Sequence, residues 1–146
     1  MTAAALDAMA AALAEQADVA IAMTRKHSVL SVHPDGQRRF YRFSDDAYSN
    51  CNLYGIGGKY ALGAAEIFRG GGQFARKVGR IVEAFGFVNL VLLRLRLSSL
   101  EGGLKRISRR LGLSVTPVIL ADGRNAIDVD NDRTYRIVAE LITRPA

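Results

Sequence analysis

Two carboxylates stand two positions apart in Ile127-Asp128-Val129-Asp130-Asn131. If this segment closes a strand, Asp128 and Asp130 point to the same side, because side chains alternate along an extended chain. Paired acidic oxygens of this kind suit Mg2+, which takes one or two carboxylates and completes its shell with water and substrate phosphates. The competing use is mechanical: Asp130 or Asp132 would cap the helix expected to follow, its side-chain oxygen accepting from the first free backbone amides. Spacing alone leaves both uses open.

Arg38, Arg39, Tyr41 and Arg42 interleave base and aromatic along one expected strand. Such a pattern neutralises phosphates and can stack on single-stranded nucleic acid. No RNP signature or zinc finger accompanies it, so a basic module for nucleic acid or an assembly partner stands as the alternative to a site for small phosphorylated molecules. Gly55-Ile56-Gly57-Gly58-Lys59 could cradle a phosphate in its backbone amides. Its spacing is not that of a P-loop, and an ordinary glycine turn accounts for it equally. His27 and His33 have no Cys pair or further His to complete a zinc set, and no Ser or Cys sits in a nucleophile elbow.

These residues need a frame, and the composition supplies one. The chain has 146 residues, 49% hydrophobic and 23% charged, which fits one globular domain spanning 1–146. A formal charge of +6 favours anionic partners without choosing among them. The bases gather at Arg38 and Arg39, at Arg76, Lys77 and Arg80, and at Lys105, Arg106, Arg109 and Arg110, and any one group could be a solvated face. The longest apolar run, Phe85 to Leu93, is interrupted by Gly86 and Asn89 and followed by Arg94 and Arg96, too short and too charged to span a bilayer. No basic region precedes an apolar stretch at the start, so no secretory signal is expected and a cytoplasmic location follows. The single cysteine, Cys51, excludes an internal disulfide and is expected as a small buried residue.

Periodicity divides the chain into alternating helices and strands. Thr2 to Gln16 reads as an Ala-rich amphipathic helix and Val19 to Met23 as a buried strand. Ser28 to Val32 and Arg39 to Phe43, either side of Pro34-Asp35-Gly36, read as a β-hairpin. Asp45 to Lys59 is polar and Gly-rich, a loop with one short strand. Helices are expected over Tyr60 to Phe68 and Gln73 to Phe85, joined by Gly70-Gly71-Gly72. Ser98 and Glu101 make a capping box for a helix carrying Leu100, Leu104, Ile107 and Leu111, with Gly112 as its stop. A strand over Ser114 to Leu120, a short strand over Ala126 to Val129 and a helix over Arg133 to Ile142 complete the chain.

Three segments, in order and spacing, resemble the second half of MobA-like NTP transferases, the family that includes molybdenum-cofactor guanylyltransferase-like proteins. They are Gln37-Arg38-Arg39-Phe40-Tyr41-Arg42-Phe43 followed by Tyr48-Ser49-Asn50-Cys51-Asn52-Leu53; Gln73-Phe74-Ala75-Arg76-Lys77; and Ala126-Ile127-Asp128-Val129-Asp130 with Tyr135 beyond it. The resemblance runs from about Asp18 to Ile142. It implies an α/β fold, a Rossmann-like mixed sheet flanked by helices, equivalent to the C-terminal half of a nucleotide-diphospho-sugar-transferase-like fold.

The resemblance also implies a nucleotidyltransferase, in which a phosphate or hydroxyl acceptor attacks the α-phosphate of an NTP with Mg2+ present. By it, Asp128 and Asp130 would hold Mg2+, Asn52 would bind substrate, and Arg38, Arg39, Arg76 and Lys77 would steady phosphates. The family's Gly-rich nucleotide loop and first metal-binding Asp belong to its other half, so this chain is expected to be incomplete alone and to self-associate through an exposed sheet edge. Where the family often continues Asp-x-Pro-x-Asp, this chain has Asp130-Asn131-Asp132-Arg133-Thr134.

Overall fold

The computed structural model describes residues 2–63 and 86–143. Its sheet is organised on β1, Val19–Arg25, in which all residues but the last are buried. Alternation along this strand sends Ala20 and Ala22 to one face and Val19, Ile21 and Met23 to the other. Burial on both faces requires cover on both, and helices supply it.

Among the described residues four strands lie in the order β2-β3-β1-β4, with β2 at Tyr41–Arg42, β3 at Ala47–Ile56 and β4 at Val115–Leu120. β3 runs antiparallel to β1, and β4 parallel to it. This is a mixed α/β sheet flanked by helices, as expected. On the Ala20 and Ala22 face pack α1 (Ala3–Ala14), α2 (Lys26–Val32) and the closing helix (Asp132–Thr143) through Met9, Val29 and Ile137. On the other face Leu100 and Ile107 of a helix over Leu100–Leu111 pack against Ile21, Met23 and Val115.

Caps define the ends of these helices. Thr2 accepts from the amide of Ala5 at the start of α1. The Leu100–Leu111 helix is capped by Ser99, not Ser98, since the Ser99 hydroxyl accepts from Gly102 at 3.1 Å. Ser98 instead takes the guanidinium of Arg106, whose Nε donates to Asn89 Oδ1 at 2.9 Å. Asn89 lies on the helix Phe87–Arg94 and is buried with Ser98, so Arg106 ties two helices together and is not part of a solvated basic face. Gly112 ends the helix with φ 65°, a conformation that favours glycine.

Three local expectations are corrected. Ser28 to Val32 is helical, not half of a hairpin: Val29, three positions before Val32, buries its side chain completely. Tyr41–Arg42 pairs instead with Ala47 and Tyr48 across a turn at Ser44 and Asp45, closed by the Phe43 amide donating to the Asp46 carbonyl at 2.8 Å. Asp45 to Lys59 is not a loop with one short strand but holds the ten-residue β3, in which Asn52 is exposed and Asn50 half-buried while Ser49 is buried. Ala126 to Val129 is not a strand. Gly123–Ala126 forms a 3-10 turn capped by Asp122, and extended backbone follows. The expected helix over 73–85, with Arg76 and Lys77, and most of that over 60–68 fall outside the described residues.

Candidate functional site

A bulge in β3 creates the site. Ile21 pairs with Tyr54 and Met23 with Asn50, so Cys51, Asn52 and Leu53 together span the interval that Ala22 alone spans on β1. Extra residues on one strand bend it and re-aim a side chain. Asn52 takes the turn with φ 51°, in the left-handed region where Asn is among the few non-glycine residues found often. The Asn50 side chain holds the bulge by accepting from the Asn52 amide at 2.9 Å.

The second half of the site comes from the segment after the Gly123–Ala126 turn. Gly123 is pressed against α2 so closely that a Cβ would stand 2.1 Å from the Ser28 carbonyl oxygen. Ala126 and Ile127 are buried in the same cluster as Val29 and Cys51. Anchored in this way, Asp128 emerges beside the bulge, and the Asn52 side-chain amide donates to its carboxylate. The two residues are 76 positions apart.

Burial raises the Asp128 carboxyl above its ordinary value; the Asn52 hydrogen bond opposes that shift, and the Asp130 charge adds to it. The two carboxylates therefore share one electrostatic neighbourhood. Burial, and then the Asp128 charge, push the Cys51 thiol up to about 12. That thiol is buried and protonated at neutral pH, as its expected packing role requires.

The competing use of the acidic pair is resolved by the cap of the last helix. Asn131, not Asp130 or Asp132, accepts from the Thr134 amide, at 3.2 Å. Thr134 returns the bond by accepting from the backbone amides of Asp130 and Asn131. The carboxylates of Asp128 and Asp130 are thus left out of the capping.

Among the described residues no group of three or more His, Cys, Asp and Glu side chains is placed to hold a metal ion. Two carboxylates and an amide are nonetheless a donor set compatible with Mg2+, which keeps several waters and relies on substrate phosphates. His33 is structural: its Nδ1 accepts from the Asp35 amide and its Nε2 lies 3.7 Å from Glu140. The centre of the glycine run belongs to the sheet: Gly55 and Ile56 lie in β3, and the Gly57 amide donates to the Asp18 carbonyl at 2.8 Å, prolonging the pairing with β1.

Arg38 and Arg39 lie apart from the acidic pair in sequence and line an open cleft of about 560 Å³ with Lys26, Gln37, Phe40 and Arg42. Lys26 was not singled out from the sequence, because reading Ser28 to Val32 as a strand hid that α2 brings its first residue to this wall. Tyr41 does not line the cleft. Tyr41 and Arg42 are neighbours in β2 and point to opposite faces, so Tyr41 is turned from the cleft that Arg42 lines.

No protein-family model matches the chain, and no curated protein matches it. Its fold is similar to that of a hypothetical transferase from Thermus thermophilus. The TM-score is 0.70 and the identity 19%, with 88% of this chain and 56% of that one covered. At this identity the similarity is one of fold, and the chain spans little more than half the length of the Thermus protein. Among the described residues no helix is long and apolar enough to cross a membrane.

Proposed function

We propose that this chain contributes the acceptor and metal side of a nucleotidyltransferase related to the MobA-like NTP transferases. The observation that carries the reading is the convergence of Asn52, on a left-handed bulge, with Asp128, beside Asp130. Backbone in a sparsely populated region persists where the surrounding structure holds it there, and such positions cluster at functional sites. The fold shared with a protein described as a hypothetical transferase supports the same class.

In this reading Asp128 and Asp130 would hold Mg2+, which when bound supplies positive charge against the phosphates. Asn52 orients Asp128 and presents its amide to substrate. Arg38 and Arg39 draw phosphates toward the site, with Arg76 and Lys77 proposed for the same work. An oxygen of the phosphate or hydroxyl acceptor forms a bond to the α-phosphorus of an NTP, and the bond from that phosphorus to the bridging oxygen breaks to release pyrophosphate. Such transfers ask of a protein chiefly positioning and electrostatic stabilisation.

The test is pyrophosphate release from each of the four NTPs with Mg2+, run on this chain and on the chain lengthened by any in-frame upstream coding sequence. Release that depends on Mg2+ and disappears in Asp128→Asn is expected from the longer form. Release unchanged in Asp128→Asn, or none from either form, would remove the reading.

A further inference from the structure

The cleft beside β2 gathers four cationic side chains, Lys26, Arg38, Arg39 and Arg42, and among the described residues no carboxylate lines it. None of the four forms an ion pair among the described residues, although nearby Arg25 meets Asp46 at 3.8 Å. Gln37 braces the wall by accepting from the backbone amides of Arg38 and Arg39 through Oε1, at 2.9 and 3.4 Å, and among the described residues neither guanidinium takes part in a hydrogen bond or ion pair. Phe40 forms the floor: it packs on the core cluster, and Lys26 Nζ lies 5.8 Å from its ring centroid. Four like charges around one concavity repel one another, and an anion seated among them relieves that repulsion. Guanidinium groups are suited to phosphate because their planar fork offers paired donors.

We infer that this cleft binds a small molecule carrying at least two phosphoryl groups. A phosphomonoester carries about −1.5 to −2 charge at neutral pH, so two phosphoryl groups match four cations where one does not. The volume of about 560 Å³ lies within the usual range of small-molecule sites. A single-stranded nucleic acid would call for exposed aromatics on which successive bases stack; Phe40 lines the cleft but is half-buried against the core with Lys26 over its ring, and the exposed Tyr41 does not line it. The inference deepens the transferase reading by naming the class of acceptor, but the binding it describes needs neither metal nor turnover.

The experiment is calorimetric titration of the whole chain with inorganic pyrophosphate, orthophosphate and an oligothymidylate, in EDTA at low salt. Pyrophosphate is expected to bind at least about tenfold more tightly than orthophosphate, since one further charge-assisted contact is worth on the order of a decade. That affinity is expected to fall about tenfold or more in Arg38→Ala/Arg39→Ala, while Lys105→Ala/Arg109→Ala, which removes the same charge from an exposed helix face, leaves it within about twofold. An unchanged melting temperature shows that each variant is folded. Equal binding of orthophosphate, equal loss in both double variants, or tighter binding of the oligonucleotide would each overturn the inference. Because no metal is present, loss of the nucleotidyltransferase reading in the turnover assay and loss of this one are separate results.

Discussion

The side-chain amide of Asn52 donates to the carboxylate of Asp128 from a bulge whose backbone stands at φ 51°. Glycine adopts that conformation freely, so Asn52→Gly removes the amide and spares the bulge. Partners that orient a metal-binding carboxylate typically contribute 10- to 100-fold in metal affinity or activity. Asn52→Gly is therefore expected to weaken Mn2+ or Mg2+ binding by about that factor, read by titration, with little change in thermal unfolding.

The Asp128 carboxyl is raised above its ordinary value of 3.8, so the folded chain holds that proton more tightly than the unfolded one. The stability this group contributes is present at low pH, declines as pH rises from 3.8 through the raised value, and is absent at neutral pH. Asp128→Asn is accordingly expected to raise the melting temperature at neutral pH, by an amount that shrinks toward zero as the pH approaches 3.8. A site that gains stability when its charge is removed while losing function fits the usual trade between the two. Melting curves across that pH range check it.

Asp18 behaves in the opposite sense. Its carboxylate accepts from the Tyr60 hydroxyl and, at 2.7 Å, from the Ser114 amide, and these bonds lower its pKa. Here stability is present above the ordinary value and is lost as pH falls through the depressed one. Asp18→Asn should melt below the parent at neutral pH, and the difference should close in strong acid.

Gly123 tests how the Asp128 segment is anchored. A methyl group there would meet Ser28 and Val29 backbone at 2.1 to 2.6 Å, and backbone cannot step aside as a flexible side chain does. Gly123→Ala is expected to destabilise by about 3 kcal/mol or more, as overpacking of a closed site can. Denaturant unfolding measures it directly.

Asn89 tests the link between the two helices at Arg106. Replacing it with Leu leaves the Arg106 Nε without its acceptor and the Gly103 carbonyl without the Asn89 amide. A cost of about 1–3 kcal/mol is expected, since an unsatisfied buried polar group forfeits its solvation. The Asn89→Leu/Arg106→Leu double variant should recover part of that loss.

How far the sequence reached depended on how strongly each element repeats. β1, the Val118 to Leu120 end of β4 and the helix over Leu100–Leu111 carry clear apolar patterns, and all three elements were legible. Ser28 to Val32 was not, because five residues cannot separate a period of two from one of 3.6. β3 was hidden by its bulge, since the extra residues at Cys51 to Leu53 break the alternation by which a strand is recognised. The acidic pair was visible from residue types alone, whereas Asn131 as cap was missed in favour of its acidic neighbours. Asn52 could be singled out only by resemblance, since nothing local brings a residue 76 positions away to Asp128.

The most direct test of the centre is a Mn2+ titration followed by nuclear magnetic resonance, observing the side-chain amide signals of Asn52 and Asn131. Asn52 is expected to broaden first, and that broadening should vanish in Asp128→Asn/Asp130→Asn. Broadening that begins elsewhere, or that survives in the double variant, would contradict a metal site built on Asn52, Asp128 and Asp130.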